Sequence, residues 1–224
     1  MFFFLKPPMK RFLLFGCVFL CSSFAMAIEE PAFKVISTSG KFEIRQYAPY
    51  LIAQTWVEGD MDDAGSQGFR RIADYIFGNN QLPGADGSGK IAMTAPVTME
   101  PQSAKIAMTA PVTMEPGDNA NGMKSAQRWR VQFAMPRQYT MATLPKPKNN
   151  AVTLAEVSEK WVVVHKYSGL NTLQRVQDKT DELLQWVKAH SLVAKSAPQL
   201  ARYDPPWTLP IWRRNEIMVE IEAP

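Results

Sequence analysis

Runs that alternate between apolar and polar residues dominate this chain of 224 residues, and they constrain its fold more than any other feature. Alternation with a period of two residues is typical of strands that bury one face. The segments with this pattern are 33–38, 41–47, 50–57, 128–135, 152–157, 161–167 and 215–221. Short turn sequences such as Ser39-Gly40 and Ala48-Pro49 separate neighbouring runs, so the sequence predicts hairpins and a mostly antiparallel sheet.

Two stretches have the periodicity of a helix instead. The first spans about residues 62–77, with a glycine at positions 65 and 68 that weakens the helix but lets another backbone or a flat ligand approach closely. The second spans about residues 172–190, and Asn171 is its expected N-cap. The order strands, helix, strands occurs twice, which predicts two halves of similar plan. We therefore expect an α+β fold in which two helices pack on one curved, mostly antiparallel sheet.

A tandem duplication interrupts this order. Residues 90–101 (KIAMTAPVTMEP) return unchanged as residues 105–116. Each copy predicts a strand, a proline and a second strand, at 91–94 and 97–99 in the first copy. Two interpretations stay open: the copies extend the sheet, with one or both inside it, or their methionines line a ligand site as soft, adaptable side chains, namely Met93, Met99, Met108 and Met114.

Two motifs carry a resemblance to a known family. Residues 91–97 read IAMTAPV, and residues 203–216 read YDPPWTLPIWRRNE. Both resemble the SOUL haem-binding protein family, over roughly the whole chain after residue 28. The resemblance implies a distorted β-barrel flanked by two helices, similar to the effector-binding domains of bacterial drug-responsive regulators. It also implies non-covalent binding of haem b or a related tetrapyrrole.

A haem site needs a flat apolar slot and, in most cases, an axial iron ligand. His165 is the first candidate, because it alternates with Trp161, Val163 and Tyr167 on one strand face that a ligand would contact. A histidine hydrogen-bonded within the core is the alternative. His190 is a second candidate, although its position at the end of a helix also suits a partner of the helix dipole.

Basic and soft side chains complete the candidate site. Propionates would pair with cations drawn from Arg70, Arg71, Lys90, Lys105, Arg213 and Arg214. Met93 and Met108 would supply apolar or axial contacts, and Trp207 would pack against the ligand or anchor its own rigid loop. Arg213 and Arg214 have a structural alternative, in which they pair with Glu216 or Asp204 and hold the last strand in place.

The amino terminus predicts export. Residues 1–27 combine three basic residues, an apolar run at 12–24 and the small-x-small sequence Ala25-Met26-Ala27, which together predict a signal peptide cleaved after Ala27. The apolar run is short for a bilayer span, but an N-terminal membrane anchor is the alternative. We expect one periplasmic domain over residues 28–224.

Composition narrows the function. The predicted leader contains both cysteines, so the mature chain would have no disulfide, no thiolate ligand and no covalent haem attachment. It also contains three of the 25 basic residues, and the remaining 22 face 21 acidic ones, which does not favour nucleic-acid binding. Hydrolase, metalloprotease and phosphate-loop motifs are absent, which favours a binding protein over an enzyme.

The sequence thus predicts a protein for tetrapyrrole transport, buffering or sequestration. One alternative is a module of the same fold for another apolar or amphipathic ligand, and another is a structural or partner-binding envelope protein. Because either copy of the duplication could occupy the same place in the sheet, we also expect a chain without residues 102–116 to fold.

Overall fold

The computed structural model describes residues 28–101, 123 and 126–224. The first half of the chain forms β1 (Phe33–Ser39), β2 (Phe42–Tyr47), β3 (Tyr50–Glu58), α1 (Met61–Ile76), β4 (Asn80–Gln81), β5 (Val97–Pro101) and β6 (Arg128–Ala134). The second half forms β7 (Lys146–Pro147), β8 (Thr153–Val157), β9 (Lys160–Tyr167), α2 (Leu173–Ala189), β10 (Gln199–Arg202), a 3-10 turn (Pro210–Trp212) and β11 (Asn215–Ile221). These elements confirm the predicted α+β class.

Nine strands form one sheet in the order β1-β2-β9-β11-β10-β5-β6-β3-β8, and every neighbouring pair is antiparallel. The short strands β4 and β7 pair separately. The alternating runs of the sequence match the long strands to within about two residues. Helix α1 begins one residue before its predicted start, after Asp60, whose carboxylate accepts from two backbone amides.

The sheet must curve strongly, because a two-residue connection links strands near its opposite edges. Ala48 and Pro49 join β2, which is second in the sheet, to β3, which is eighth. The rings of Tyr47 and Tyr50 on either side of this link lie 6.3 Å apart. The face without helices therefore lies inside the curve. The edge strands β1 and β8 do not pair within the described residues, so the predicted barrel is an open half-barrel.

Both helices pack on the outside of the half-barrel. Helix α1 contacts β3 and β6, and α2 contacts β9 and β11. Gly68 allows the close approach of α1, since a Cβ there would lie 2.4 Å from Val131 Cγ2. Thr172 caps α2 by accepting from the Arg175 amide, so the predicted cap at Asn171 is wrong. Asn171 instead accepts from the Tyr167 hydroxyl and donates to Asn215.

An approximate two-fold relation connects the halves, as the repeated element order predicted. The series β2, β3, α1, β5, β6 corresponds to β8, β9, α2, β10, β11, and the axis passes between the central strands β5 and β10. Each half gives one strand to the other, because β2 pairs with β9 and β8 pairs with β3. The two halves therefore share one continuous sheet.

The first copy of the duplication contributes one strand rather than two. β5 starts at Val97, while Ile91 and Thr94 lie in an irregular segment. Ile91 is buried in the core and its amide donates to the Ile76 carbonyl, so this segment is tied to the end of α1. The second copy, with Met108, lies outside the described residues.

Candidate ligand-binding site

The inside of the half-barrel is filled by side chains. A cavity of about 20 Å³ remains there, lined by residues that include Tyr47, Tyr50, Gln132 and Met218. This volume holds about one water, whereas ligand pockets have volumes of roughly 300–1,000 Å³. Burial raises the pKa of both tyrosines to about 12, so their hydroxyls stay neutral. A tetrapyrrole does not fit inside the half-barrel.

A buried charge network occupies the rest of this interior. Arg45, which is 1% exposed, donates to both carboxylate oxygens of Glu216 at 2.9 Å and to Glu43 at 2.8 Å. The Phe33 ring stacks 4.4 Å from the Arg45 guanidinium. Burial alone would lower the pKa of Arg45, but the Glu216 carboxylate raises it well above its usual value. Tyr203 donates a further hydrogen bond of 2.6 Å to Glu216. These charged groups are therefore paired with one another inside the protein.

Arg213 and Arg214 hold the segment before β11. Arg214 donates to Glu216 and Glu30 through its guanidinium, and its amide donates to the Asp204 carboxylate at 2.6 Å. Arg213 donates to the carbonyls of Thr208 and Pro206. Arg214 thus contacts both carboxylates that the structural alternative named, whereas Arg213 donates to backbone carbonyls of its own loop.

The outer side of α1 brings several candidate residues together. The segment 91–97 runs antiparallel to α1, because the Ile91 amide binds Ile76 at the last turn while Val97 pairs with Arg202 beside the first turn. Arg202 reaches the first turn through an ion pair of 3.6 Å with Asp62. The middle of the helix therefore lies beside the middle of the segment. We call this region, comprising Gly65, Phe69, Arg70, Met93 and Arg202, the α1 surface.

The α1 surface offers apolar area and positive charge. Phe69 is 40% exposed and Met93 is 36% exposed, and the Phe69 ring packs 5.4 Å from the buried Phe133 ring. Gly65 packs against the buried Met99 side chain, since a Cβ there would lie 3.1 Å from the Met99 sulfur. Arg202 Nε is buried and lacks a hydrogen-bond partner within the described structure. An apolar face beside an arginine side chain that is 31% exposed suits a flat ligand with carboxylate groups.

The predicted arginines on α1 differ in their surroundings. Arg70 is exposed, while Arg71 is half-buried and donates to the Trp56 carbonyl at 3.0 Å. Arg70 is therefore the one that a ligand on the α1 surface would meet in solution. Arg202 and Phe69 were missed by sequence reasoning. One sequence feature could have indicated Arg202, because this residue stands directly before the 203–216 motif and is the last residue of β10.

His165 lies between the sheet and α2, away from the α1 surface. Its Nδ1 donates to the Lys179 carbonyl at 3.2 Å, and its ring stacks 4.5 Å from Phe42. Its Nε2 is buried and lies 3.4 Å from the Glu182 carboxylate, too poorly aligned to count as a hydrogen bond. Burial lowers the pKa of His165. A ligand would have to displace α2 to reach this ring.

His190 and Trp207 are both on the surface. His190 follows the last turn of α2, donates from Nδ1 to the Trp186 carbonyl at 2.8 Å and stacks on the Trp186 ring. This contact matches the helix-end alternative. Trp207 is 84% exposed and Trp212 is 70% exposed, so neither one anchors its loop in the core. Their loop connects β10 to β11.

Within the described residues, no cluster of three or more histidine, cysteine, aspartate or glutamate side chains could hold a metal ion. Across that same part of the chain, none of the helices has the length and apolar character needed to cross a membrane.

The fold is similar to solved structures of low sequence identity. The C-terminal domain of EcmrR matches with a TM-score of 0.55 and 12% identity, over 82% of this chain and 98% of that one. An uncharacterized conserved protein from Listeria innocua matches with a TM-score of 0.53 and 12% identity, over 81% and 92%. A hydrolase from Listeria innocua matches with a TM-score of 0.50 and 12% identity, over 84% and 94%. At these identities the similarity concerns the fold alone.

No curated protein matches this chain. A family model does match, in two overlapping segments. The model of the SOUL heme-binding protein covers residues 28–104 and 100–220, and the overlap lies at the duplication. The match includes both motifs and nearly all of the described fold. The chain therefore belongs to the SOUL heme-binding protein family.

Proposed function

We propose that this protein binds haem b or a related tetrapyrrole non-covalently on the α1 surface, and that it is exported to transport, buffer or sequester this ligand. The family match over residues 28–104 and 100–220 carries the proposal, because it supports tetrapyrrole binding in general. Export is inferred from the sequence of residues 1–27. The family is one of binding proteins, so no catalytic step is assigned.

The α1 surface supports the ligand class through its chemistry. Phe69 and Met93 would cover one face of the macrocycle. Arg202 would pair with a propionate through the exposed part of its guanidinium, because its side chain is 31% exposed and its ion pair with Asp62 is long, at 3.6 Å. Arg70 would add a second positive charge from the rim.

The residues also limit the iron chemistry that the site can support. When haem is bound it supplies an iron with axial positions that a protein donor can fill. Met93 is the exposed soft donor on the α1 surface, while His165 is covered by α2. We therefore expect apolar contact and charge pairing to dominate the affinity, with an axial thioether as a secondary contact.

Titration with haem and with metal-free protoporphyrin tests this site. Phe69→Ser and Arg202→Gln should each weaken the binding of both ligands about tenfold, because they remove stacking area and a propionate partner. Leu184→Ser, at a residue of α2 that is 38% exposed, and Arg137→Gln are matched controls, since both residues lie outside the α1 surface and should leave binding unchanged. Circular dichroism confirms that each variant is folded. Equal binding by the test and control variants would place the ligand elsewhere.

Met93→Leu separates axial ligation from apolar contact. If the thioether binds iron, this change should alter the Soret spectrum of the haem complex and leave the affinity for metal-free protoporphyrin unchanged. An unaltered Soret spectrum would assign Met93 to the apolar wall. No response of the wild-type protein to either tetrapyrrole would contradict the proposed function and favour another apolar ligand.

Cell fractionation tests the export step. We expect the cleaved protein in the periplasm, with Ile28 as its first residue by N-terminal sequencing. A membrane-bound form that retains residues 1–27 would establish the anchored alternative. A protein retained in the cytoplasm would contradict export altogether.

A further inference from the structure

The loop between β10 and β11 exposes an unusual concentration of large apolar side chains. Within six residues, Trp207 is 84% exposed, Leu209 53%, Ile211 71% and Trp212 70%. We call residues 204–213 the tryptophan loop. Single exposed apolar residues are normal on protein surfaces, but contiguous groups mark interaction sites. None of these four residues is needed for the α1 surface.

Internal hydrogen bonds hold the tryptophan loop in shape while its apolar side chains point outward. The Arg213 guanidinium donates to the carbonyls of Pro206 and Thr208. The Thr208 amide donates to Pro205, and the Trp212 amide donates to Leu209. Pro205, Pro206 and Pro210 restrict the backbone further. The exposure is therefore a property of a loop whose backbone is held by hydrogen bonds within the loop itself.

The chain enters the fold beside this loop. Glu30 accepts from the Arg214 guanidinium at 2.9 Å, one residue after the tryptophan loop ends. Glu29 is bonded to Ala95 and Arg137 nearby, and Ile28 is 52% exposed. The described part of the chain therefore begins at the same end of the molecule as the tryptophan loop.

We propose that the tryptophan loop docks the domain on the interfacial region of a lipid bilayer. Tryptophan prefers this region because its ring is apolar and its indole N–H can bind water or headgroups. Leu209 and Ile211 supply the apolar area that would enter the acyl boundary. Asp204 and Arg213 are the two charged residues of the tryptophan loop, and the Asp204 carboxylate accepts from the Arg214 amide at the base of the loop. The described chain also begins beside the loop, so the point where the predicted leader joins the domain lies at this end of the molecule.

Vesicle flotation tests this proposal with the protein as purified from the exporting cells. The probe is a vesicle of phosphatidylcholine and phosphatidylglycerol, with phosphatidylcholine alone as a second composition. Trp207→Ser/Trp212→Ser should lower the partition coefficient about tenfold or more, because two interfacial indoles are lost. Phe77→Ser/Met141→Ser is the matched control, since it removes two exposed apolar side chains elsewhere and should float like the wild type.

Tryptophan fluorescence reports the same contact directly. Adding vesicles to the wild-type protein should shift its emission to shorter wavelength, and the double tryptophan variant should lack the shift. Equal flotation of both double variants would assign membrane binding to the amino terminus and overturn the role of the loop. An absence of wild-type binding to either vesicle would also overturn it, and would leave a protein partner as the occupant. The double tryptophan variant should also bind tetrapyrrole with wild-type affinity, which would show that the loop is not part of the proposed ligand site.

Discussion

At the scale of single residues, His165 is a titratable group whose buried environment changes its pKa. Its ring is buried under α2, where Nδ1 donates to Lys179 and the ring stacks on Phe42. Burial lowers its pKa, although the Lys179 carbonyl and the Glu182 carboxylate act in the opposite direction. The folded protein therefore holds this histidine neutral at a pH where an unfolded chain would already protonate it.

This environment predicts a pH-dependent stability. Because the folded pKa lies below the unfolded value of about 6.5, the contribution of His165 is complete above that pH and is lost as the pH falls through the folded pKa. In that window one proton changes the unfolding free energy by up to about 1.4 kcal/mol per pH unit. His165→Asn keeps an amide donor for Lys179 and should flatten the dependence measured by urea unfolding. His190→Asn, which removes an exposed histidine, should retain the wild-type slope, and equal slopes in all three proteins would contradict the assignment.

At the scale of elements, the two glycines of α1 have different roles although both face the sheet. A Cβ at Gly68 would lie 2.4 and 2.6 Å from Val131 side-chain atoms. A Cβ at Gly65 would lie 3.1 and 3.2 Å from the flexible end of Met99. The first contact cannot relax without moving α1, whereas the second requires only a small shift of the methionine.

Alanine substitutions should separate these glycines. Gly68→Ala should lower the unfolding free energy by about 1–2 kcal/mol, because overpacking costs more than the gain in helix propensity. Gly65→Ala should leave it unchanged or raise it by up to about 1 kcal/mol. Urea unfolding of the two variants measures the difference. Destabilisation by the same amount at both positions would mean that the approach of α1 is not set by Val131.

The duplicated segment makes a second prediction at this scale. Because the copies are identical, removing residues 90–104 or residues 102–116 produces the same polypeptide, so one repeat unit can be deleted without choosing between them. The shortened chain retains one copy, which supplies β5 and the buried Ile91 and Met99. We expect it to be soluble and to unfold cooperatively.

Deletion of residues 90–116 is the control, because it removes both copies and with them the central strand between β10 and β6. This protein should fail to fold. Insoluble protein from the single deletion, measured beside the wild type, would show that both copies are needed.

At the scale of the whole molecule, the exchange of strands between the halves governs stability. β2 pairs with β9 and β8 pairs with β3, so neither half has a complete sheet without the other. The buried pair of Arg45 and Glu216 adds a bond between the same two halves. Either charge would cost several kcal/mol if it stayed buried without its partner. The two halves are therefore expected to separate only when the whole domain unfolds.

The domain should therefore unfold in one transition. Far-UV circular dichroism and tryptophan fluorescence should give coincident urea curves, since Trp129 reports on the first half and Trp186 on the second. Two separate transitions would contradict the coupling between the halves. A tetrapyrrole that binds the folded state should raise the urea midpoint. At a free ligand concentration of 100 times its dissociation constant, it should raise the unfolding free energy by about 2.7 kcal/mol.

Local sequence patterns were sufficient to determine both helices and the seven long strands, but they missed β10 and wrongly predicted a strand at residues 91–94. The alternation of Trp161, Val163, His165 and Tyr167 correctly placed these side chains on one face of β9, because strand geometry alternates side chains regardless of their neighbours. The family motifs were equally local. Alternation could not say which face of β9 would be covered by α2, so the environment of His165 was not predictable.

The sequence by itself thus determined the class of the fold, the boundaries of its main strands and helices, and its family, because these depend on periodicity, turn residues and short motifs. The tertiary structure alone decided that β2 lies beside β9, that Arg45 meets Glu216, and that Arg202 lies beside the first turn of α1. It also decided that Trp207 points outward. These outcomes depend on which distant segments pack together. That packing is determined by the combined burial of the whole core, which cannot be derived from any single stretch of sequence.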